Sequence, residues 1–222
     1  MKTPQIIILL GKSGSGKGTQ ADFLLNKFKN FEYLESGKLL RAKAKDKDYI
    51  GRRVKEILLK GELIPAPVIS TIWLKKVAGL KEKSKNMRGL IMDGNPRRMI
   101  EAQMIDEAFK FFGWDKNVKA ILIDISDKEG IWRLTKRRMC KDCRNKVPFV
   151  GEFKNITRCP KCGGKLIRRS DDTVAAATSR MKWFKTEVQP IADYYKKTGR
   201  LIKINGEQSI EDVSKDLLKA LK

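Results

Sequence analysis

The stretch Gln5-Ile6-Ile7-Ile8-Leu9-Leu10 carries five apolar side chains in succession with no polar alternation, the pattern of a strand buried on both faces. A loop of glycine, serine and lysine follows, Gly11-Lys-Ser-Gly-Ser-Gly-Lys17-Gly-Thr19-Gln. After it, Ala21, Leu24, Leu25 and Phe28 recur at the spacing of a helix over 17–28. Short apolar runs at Phe31–Leu34, Leu90–Met92, Ala120–Ile125 and Leu201–Ile204 predict further strands, and 98–112, 173–196 and 209–221 predict helices. Short strands alternating with longer helices specify an α/β fold, a parallel sheet core with helices on both faces. Two stretches break the alternation. Residues 36–66 hold a basic helical segment and end at Gly61-Glu62-Leu63-Ile64-Pro65, while 134–169 contain all four cysteines, several glycines and little helical periodicity. Both read as insertions.

Length changes that picture little: 222 residues suffice for one sizeable core with appendages. The 41% hydrophobic content argues against disorder, and no apolar run approaches the roughly 20 residues of a membrane span. The first residues lead into a strand without the small-residue site of a signal peptide, so a cytoplasmic protein is expected. Charge matters more. Forty-nine Lys and Arg against 26 Asp and Glu leave +23, enough to attract any polyanion. The basic residues are spread through nearly every segment, so a solvated basic surface is the plainer reading and nucleic-acid binding the secondary one. With no histidine in the chain, imidazole is excluded from base catalysis, nucleophile activation and metal ligation.

Gly11-x4-Gly16-Lys17 matches the phosphate-loop pattern up to its lysine, after which Gly18 intervenes and the hydroxyl is postponed to Thr19. Glycines let successive backbone N–H groups face an anion, the next helix adds its positive end, and the lysine supplies an ammonium. The bland alternative is a Gly/Ser turn. Cys140-x2-Cys143 and Cys159-x2-Cys162 form two knuckles able to surround Zn²⁺ with four thiolates, a closed structural site; two disulfides are the alternative. Arg41, Arg97, Arg133, Arg137, Arg169 and Arg180 lie in separate segments. Taken singly, each reads as a solvated charge, and spacing alone selects none of them.

Together these stretches resemble the adenylate kinase family in its long form with a zinc-binding lid. The carriers are the loop Gly11 to Thr19, Ser36-Gly-Lys-Leu-Leu-Arg41, Gly61 to Pro65, Asp93-Gly-Asn-Pro-Arg97, Arg133-Leu-Thr-Lys-Arg137, the four cysteines, and Arg169-Ser-Asp-Asp172 followed by Arg180. The resemblance implies a P-loop core of residues 1–35, 67–133 and 170–222, a monophosphate-binding insertion of 36–66 and a zinc lid of 134–169. It implies reversible transfer of the γ-phosphoryl of MgATP to AMP. Gly11, Gly14, Ser15, Gly16, Lys17, Gly18 and Thr19 would hold the ATP phosphates, with Arg133 against the base, Arg137 on the phosphates and Gln208 at an adenine contact. Ser36, Arg41, Glu62, Leu63, Ile64, Gly94, Arg97 and Glu101 would bind the monophosphate, together with Arg169 and Arg180. Lys17, Arg97, Arg137, Arg169 and Arg180 would carry the chemistry, and Asp93 would hold the water shell of Mg²⁺. The expected partners are ATP and a nucleoside monophosphate, with no membrane, no obligate protein partner and a monomeric state.

The chain departs from the family pattern at Lys38, Asn95, Arg98 and Glu101. Glu101 stands where a glutamine normally reads adenine, and a carboxylate suits the N1–H and amine edge of guanine better. A shifted acceptor such as GMP is therefore the second enzymatic reading, unless Gln103 restores adenine recognition. Pseudo-kinase and zinc-ribbon nucleic-acid-binding readings also stand. Between 133 and 169, thirteen Lys or Arg face only Asp142 and Glu152, a net +11, which allows a lid that also touches RNA.

Overall fold

The apolar run after Gln5 becomes β1 (Gln5–Leu10), the middle strand of a five-stranded sheet. The computed structural model describes residues 3–60, 62–83, 86–168 and 172–221; Gly61 and Arg169, both singled out above, lie outside the described residues. After β1 come α1 (Lys17–Lys27), β2 (Phe31–Glu35), α2 (Ser36–Lys43), α3 (Tyr49–Lys60), α4 (Ala66–Lys83), β3 (Gly89–Asp93), α5 (Met99–Phe112) and β4 (Val118–Asp124). Then follow α6 (Asp127–Lys136), β5 (Arg138–Cys140), β6 (Lys146–Val147), β7 (Leu166–Arg168), α7 (Val174–Trp183), α8 (Gln189–Lys197), β8 (Leu201–Asn205) and α9 (Ile210–Leu221).

The sheet order is β2-β3-β1-β4-β8, and the β1/β3, β1/β4 and β2/β3 pairings are parallel. Position in the sheet explains composition. Ile6 to Leu10 and Leu90 to Met92 are at most 1% exposed, as uninterrupted apolar strands must be. β2 at the edge instead buries only Leu34, with Glu32 and Glu35 among its partly exposed positions.

The chain forms two compact units. The first comprises Met1–Leu10, Gly18–Leu122 and Glu187–Ile202; the second comprises Gly11–Lys17, Ile123–Thr186 and Lys203–Lys222. In the first, α4 buries Ile69, Trp73, Val77 and Leu80, a 3.6-residue stripe in the sequence that the expected elements left out. α5 buries Ala102, Ile105 and Phe109 and ends at Gly113 in the left-handed conformation, whose N–H bonds Lys110 O at 3.0 Å. In the second, Ser126 caps α6 by accepting from Glu129 N, and Leu134 packs with Ala177 and Met181 between α6 and α7.

The expected helix over 173–196 is instead α7, a wide π turn over Phe184–Val188, and α8. Pro190 explains the break: it has no N–H for the helical ladder and is tolerated only in the first turn, where α8 places it. The 134–169 insertion contains a small antiparallel sheet of order β6-β5-β7, and α6 extends through Lys136 before it.

Candidate active site

Residues 11–17 form a tight nest ahead of α1. Gly11 (φ +145°) and Gly14 (φ +89°) hold conformations that side chains disfavour. A Cβ on Gly11 would lie 2.5 Å from Ile123 O, and one on Gly14 3.0 Å from Gly130 O. The Lys17 ammonium folds back over the nest, donating to Gly11 O (2.7 Å) and Lys12 O (2.8 Å). Lys12 anchors the loop by donating to Ile125 O (2.6 Å) and pairing with Asp127 (2.8 Å), which also pairs with Lys185 (2.7 Å). The Lys12 and Lys185 ammoniums hold the Asp127 carboxyl below its ordinary value. Ser15 is buried, while Gly16 and Thr19 are partly exposed.

The second unit also holds an arginine pair around one carboxylate. Arg137 grips Asp172 through Nε (2.9 Å to Oδ2) and Nη2 (2.8 Å to Oδ1), and Arg180 Nη1 reaches Oδ1 at 3.0 Å. The Asp172 side chain is 2% exposed, whereas Arg137 and Arg180 keep 18% and 28%. Two guanidinium groups are thereby oriented without being fully enclosed. Asp172 was legible only as part of a motif, because nothing in the sequence says that its carboxylate is buried between two arginines. A cavity of about 690 Å³ in the same unit is lined by Arg133, Gln208, Trp132, Glu129 and Glu207, among others. Arg133 Nε donates to Glu129 (2.6 Å), and Gln208 Nε2 donates to Asp216 (2.8 Å).

The first unit has its own small pocket, lined by Ser36, Glu62, Leu63, Ile64, Gly94, Asn95, Arg97 and Glu101, with Leu40, Leu58 and Ile69 as its apolar part. Four segments therefore meet there: the start of α2, the end of α3, the lead into α4, and the turn between β3 and α5. In that turn Arg97 Nε donates to Gly94 O (2.8 Å), and Glu101 Oε2 accepts from the Arg97 backbone N–H (2.8 Å). Burial raises the Glu101 carboxyl above its ordinary value, against the pull of the Arg97 N–H and the Arg97 and Arg98 charges. Arg41 stands apart from the lining, more than half exposed and paired with Glu35 at 3.1 Å. Gln103 is exposed on α5 and outside the lining. Lys38 is exposed on α2. Asp93, 7% exposed, accepts from Tyr33 Oη (2.9 Å). Burial, and next the Asp93 carboxylate, drive the Tyr33 phenol far above its usual range and keep it a donor.

The cysteines converge. Sγ atoms of Cys140 and Cys162 lie 3.5 Å apart, those of Cys143 and Cys159 3.6 Å apart, and all four within 4.8 Å. Disulfides need about 2.0 Å, and the thiols are free. Thiolates around Zn²⁺ at about 2.3 Å stand about 3.8 Å apart, so the donor set fits a structural zinc. Its knuckles carry crowded cations: Lys141 N donates to Lys165 O, and Arg158 pairs with Lys165 in an isolated bridge.

A strand, a glycine nest and a helix start in that order in the chain are the pattern of a polyphosphate site, and the two arginines oriented on Asp172 suit the class of P-loop phosphotransferases. Comparison with known sequences narrows the class: the profile "Adenylate kinase" matches residues 9–200. Adenylate kinase of Chlamydia muridarum is 34% identical over 99% of this chain and 88% of its own length. That of Caldicellulosiruptor bescii is also 34% identical, over 97% of this chain and 98% of its own. For the Petrotoga mobilis enzyme the identity is 31%, over 97% of both. The chain belongs to the adenylate kinase family. No described helix is long and apolar enough to cross a membrane.

Proposed function

We propose that the chain catalyses reversible transfer of the γ-phosphoryl of MgATP to AMP, giving two ADP. The observation that carries this reading is the first unit's pocket, where Ser36, Glu62 to Ile64, Gly94, Arg97 and Glu101 gather from three segments. A second nucleotide site distinguishes such an enzyme from a simple ATPase. In the proposed step an oxygen of the AMP phosphate attacks the γ-phosphorus, the bond to the β-phosphate oxygen breaks, and ADP is the leaving group. The transition state is loose, so alignment and cations do most of the catalysis and no general base is needed. That suits a chain without histidine.

Backbone N–H groups of Gly11 to Thr19 hold the ATP phosphates, and Lys17 leaves its loop carbonyls to meet charge on the transferring group. Arg133 and Gln208 receive the adenine end in the larger cavity; Arg41 and Arg97 hold the AMP phosphate; Arg137, Arg169 and Arg180 neutralise the transferring phosphoryl. Mg²⁺ entering with ATP neutralises phosphate charge, and Asp93 offers the hard oxygen its water shell requires. The three-part division into core, monophosphate insertion and zinc lid belongs to this reading, the lid closing to exclude water. A monomeric, cytoplasmic enzyme belongs to the same reading. The lid cations serve phosphate attraction without requiring RNA.

The test is ADP formation from MgATP with AMP, GMP, CMP and UMP in turn. AMP is the expected acceptor, and no ADP with any of the four overturns the reading. The relatives' names do not favour a guanine acceptor, and Glu101 is already engaged by Arg97 N–H. Glu101→Gln, which keeps an acceptor oxygen there, is expected to change AMP-over-GMP selectivity by less than about threefold. A larger change would make Glu101 the base reader. With its carboxyl raised in the fold, Glu101 favours folding most at acidic pH and loses that contribution as pH rises above the ordinary value of 4.5. The glutamine variant should flatten that part of the stability profile.

Asp172→Asn is expected to lower kcat/KM by about tenfold or more, because an amide cannot hold two guanidinium groups in place. With the arginines partly exposed, stability should fall by only about 1–3 kcal/mol. Unaltered kcat/KM would remove Asp172 from the machinery.

A further inference from the structure

Asn95 is 1% exposed, so its amide must find partners within the protein. Three groups surround it: Trp73 Nε1 at 3.3 Å, Ser36 Oγ at 3.0 Å and Gly94 O at 3.0 Å. An indole N–H only donates and a carbonyl only accepts. The amide oxygen therefore faces Trp73, and the amide nitrogen faces Gly94 and Ser36. That orientation fixes the next link. Ser36 Oγ accepts from Asn95, and its single proton remains to be donated elsewhere. Ser36 is 1% exposed and lines the same pocket as Arg97 and Glu101. Had the amide turned the other way, Ser36 would give its proton to Asn95 and present only acceptors.

We propose that Trp73, Asn95 and Ser36 form a relay of fixed hydrogen-bond polarity that makes Ser36 a donor to an acceptor atom of the bound nucleoside monophosphate. Trp73 and Asn95 are positioning residues, and the inference rests on the reading of this pocket given above. Trp73 Nε1 and Gly94 O are the two groups that cannot be reversed, and they hold opposite ends of the amide. Asn95 transmits that direction from α4 to the first residue of α2, and it ties both to the turn that carries Arg97.

Trp73→Phe keeps an aromatic ring and deletes the N–H; Asn95→Leu deletes the amide at similar size. Each is expected to raise KM for AMP by about three- to tenfold, the effect of one misdirected hydrogen bond, with kcat and KM for ATP within about twofold. In a Ser36→Ala background the relay has no end point, so adding Asn95→Leu should change KM for AMP by less than about twofold. The Trp73 indole ¹H–¹⁵N resonance, identified by its loss in Trp73→Phe, should move in Asn95→Leu. Unchanged KM for AMP in both single variants, or effects that multiply in the double variant, would overturn the relay. Should the wild-type protein make no ADP, the proposed reaction fails, while an indole resonance unmoved by Asn95→Leu separately overturns the relay.

Discussion

Lys17→Met is expected to lower kcat by about a thousandfold, the upper range for removing one preorganised group that stabilises developing charge. Methionine keeps the unbranched stem and the helix propensity of α1, so far-ultraviolet circular dichroism should not change. What disappears is the ammonium that now donates to Gly11 O and Lys12 O across the nest. Those bonds mark its resting position: a cation held over the glycine loop by carbonyl dipoles is stored where an incoming triphosphate can recruit it. KM for ATP should rise as well, because ground-state phosphates carry charge too. Steady-state ADP formation measures both constants, and retention of activity within tenfold would dismiss the role assigned to Lys17.

The second large effect concerns the lid. Cys159→Ser should abolish stoichiometric zinc, lower the melting temperature and cut kcat substantially. The reason is the lid's poor core. Among described residues 138–168 the buried hydrophobic ones are Met139, Cys140, Val147 and Cys159, so half of that apolar interior consists of candidate metal ligands. Such a piece folds on metal-binding energy. If the metal contributes about 5 kcal/mol and each kcal/mol shifts a chain of this size by about 2–4 °C, a fall of about 10 °C or more follows. Hydrogen exchange should accelerate across 138–168, while β1 and β3 keep their protection. Zinc release by thiol titration together with calorimetry checks the expectation. Full activity and undiminished protection without bound metal would show that the lid stands on its own.

Much of the fold was legible because burial writes itself into local pattern. β1, β3 and β4 lie inside the sheet and carry apolar runs; the glycine nest and the cysteine knuckles are chemical signatures at fixed spacing. α4 was equally present, in the Ile69, Trp73, Val77, Leu80 stripe, but no loop chemistry drew attention to it. The break in the last long helix hung on Pro190, whose effect depends on whether it falls in a first turn. At the site, separation in sequence was the obstacle. Ser36, Ile64 and Arg97 meet only because α2, α4 and the β3–α5 turn converge. Asn95 read as an anomaly until the Trp73 indole appeared beside it, and Glu101, expected at the base, is seen to accept the Arg97 N–H through one carboxylate oxygen.

The crowded knuckle cations have one more consequence. Lys141, Arg158 and Lys165 are held on neighbouring backbone positions by their main chains, next to a cluster that four thiolates and one Zn²⁺ would leave with two negative charges. Dissolved electrolyte weakens that attraction, as it weakens the attraction of Asp106 for Arg200. Brine therefore loosens the hold of these cations on the ribbon's anionic centre.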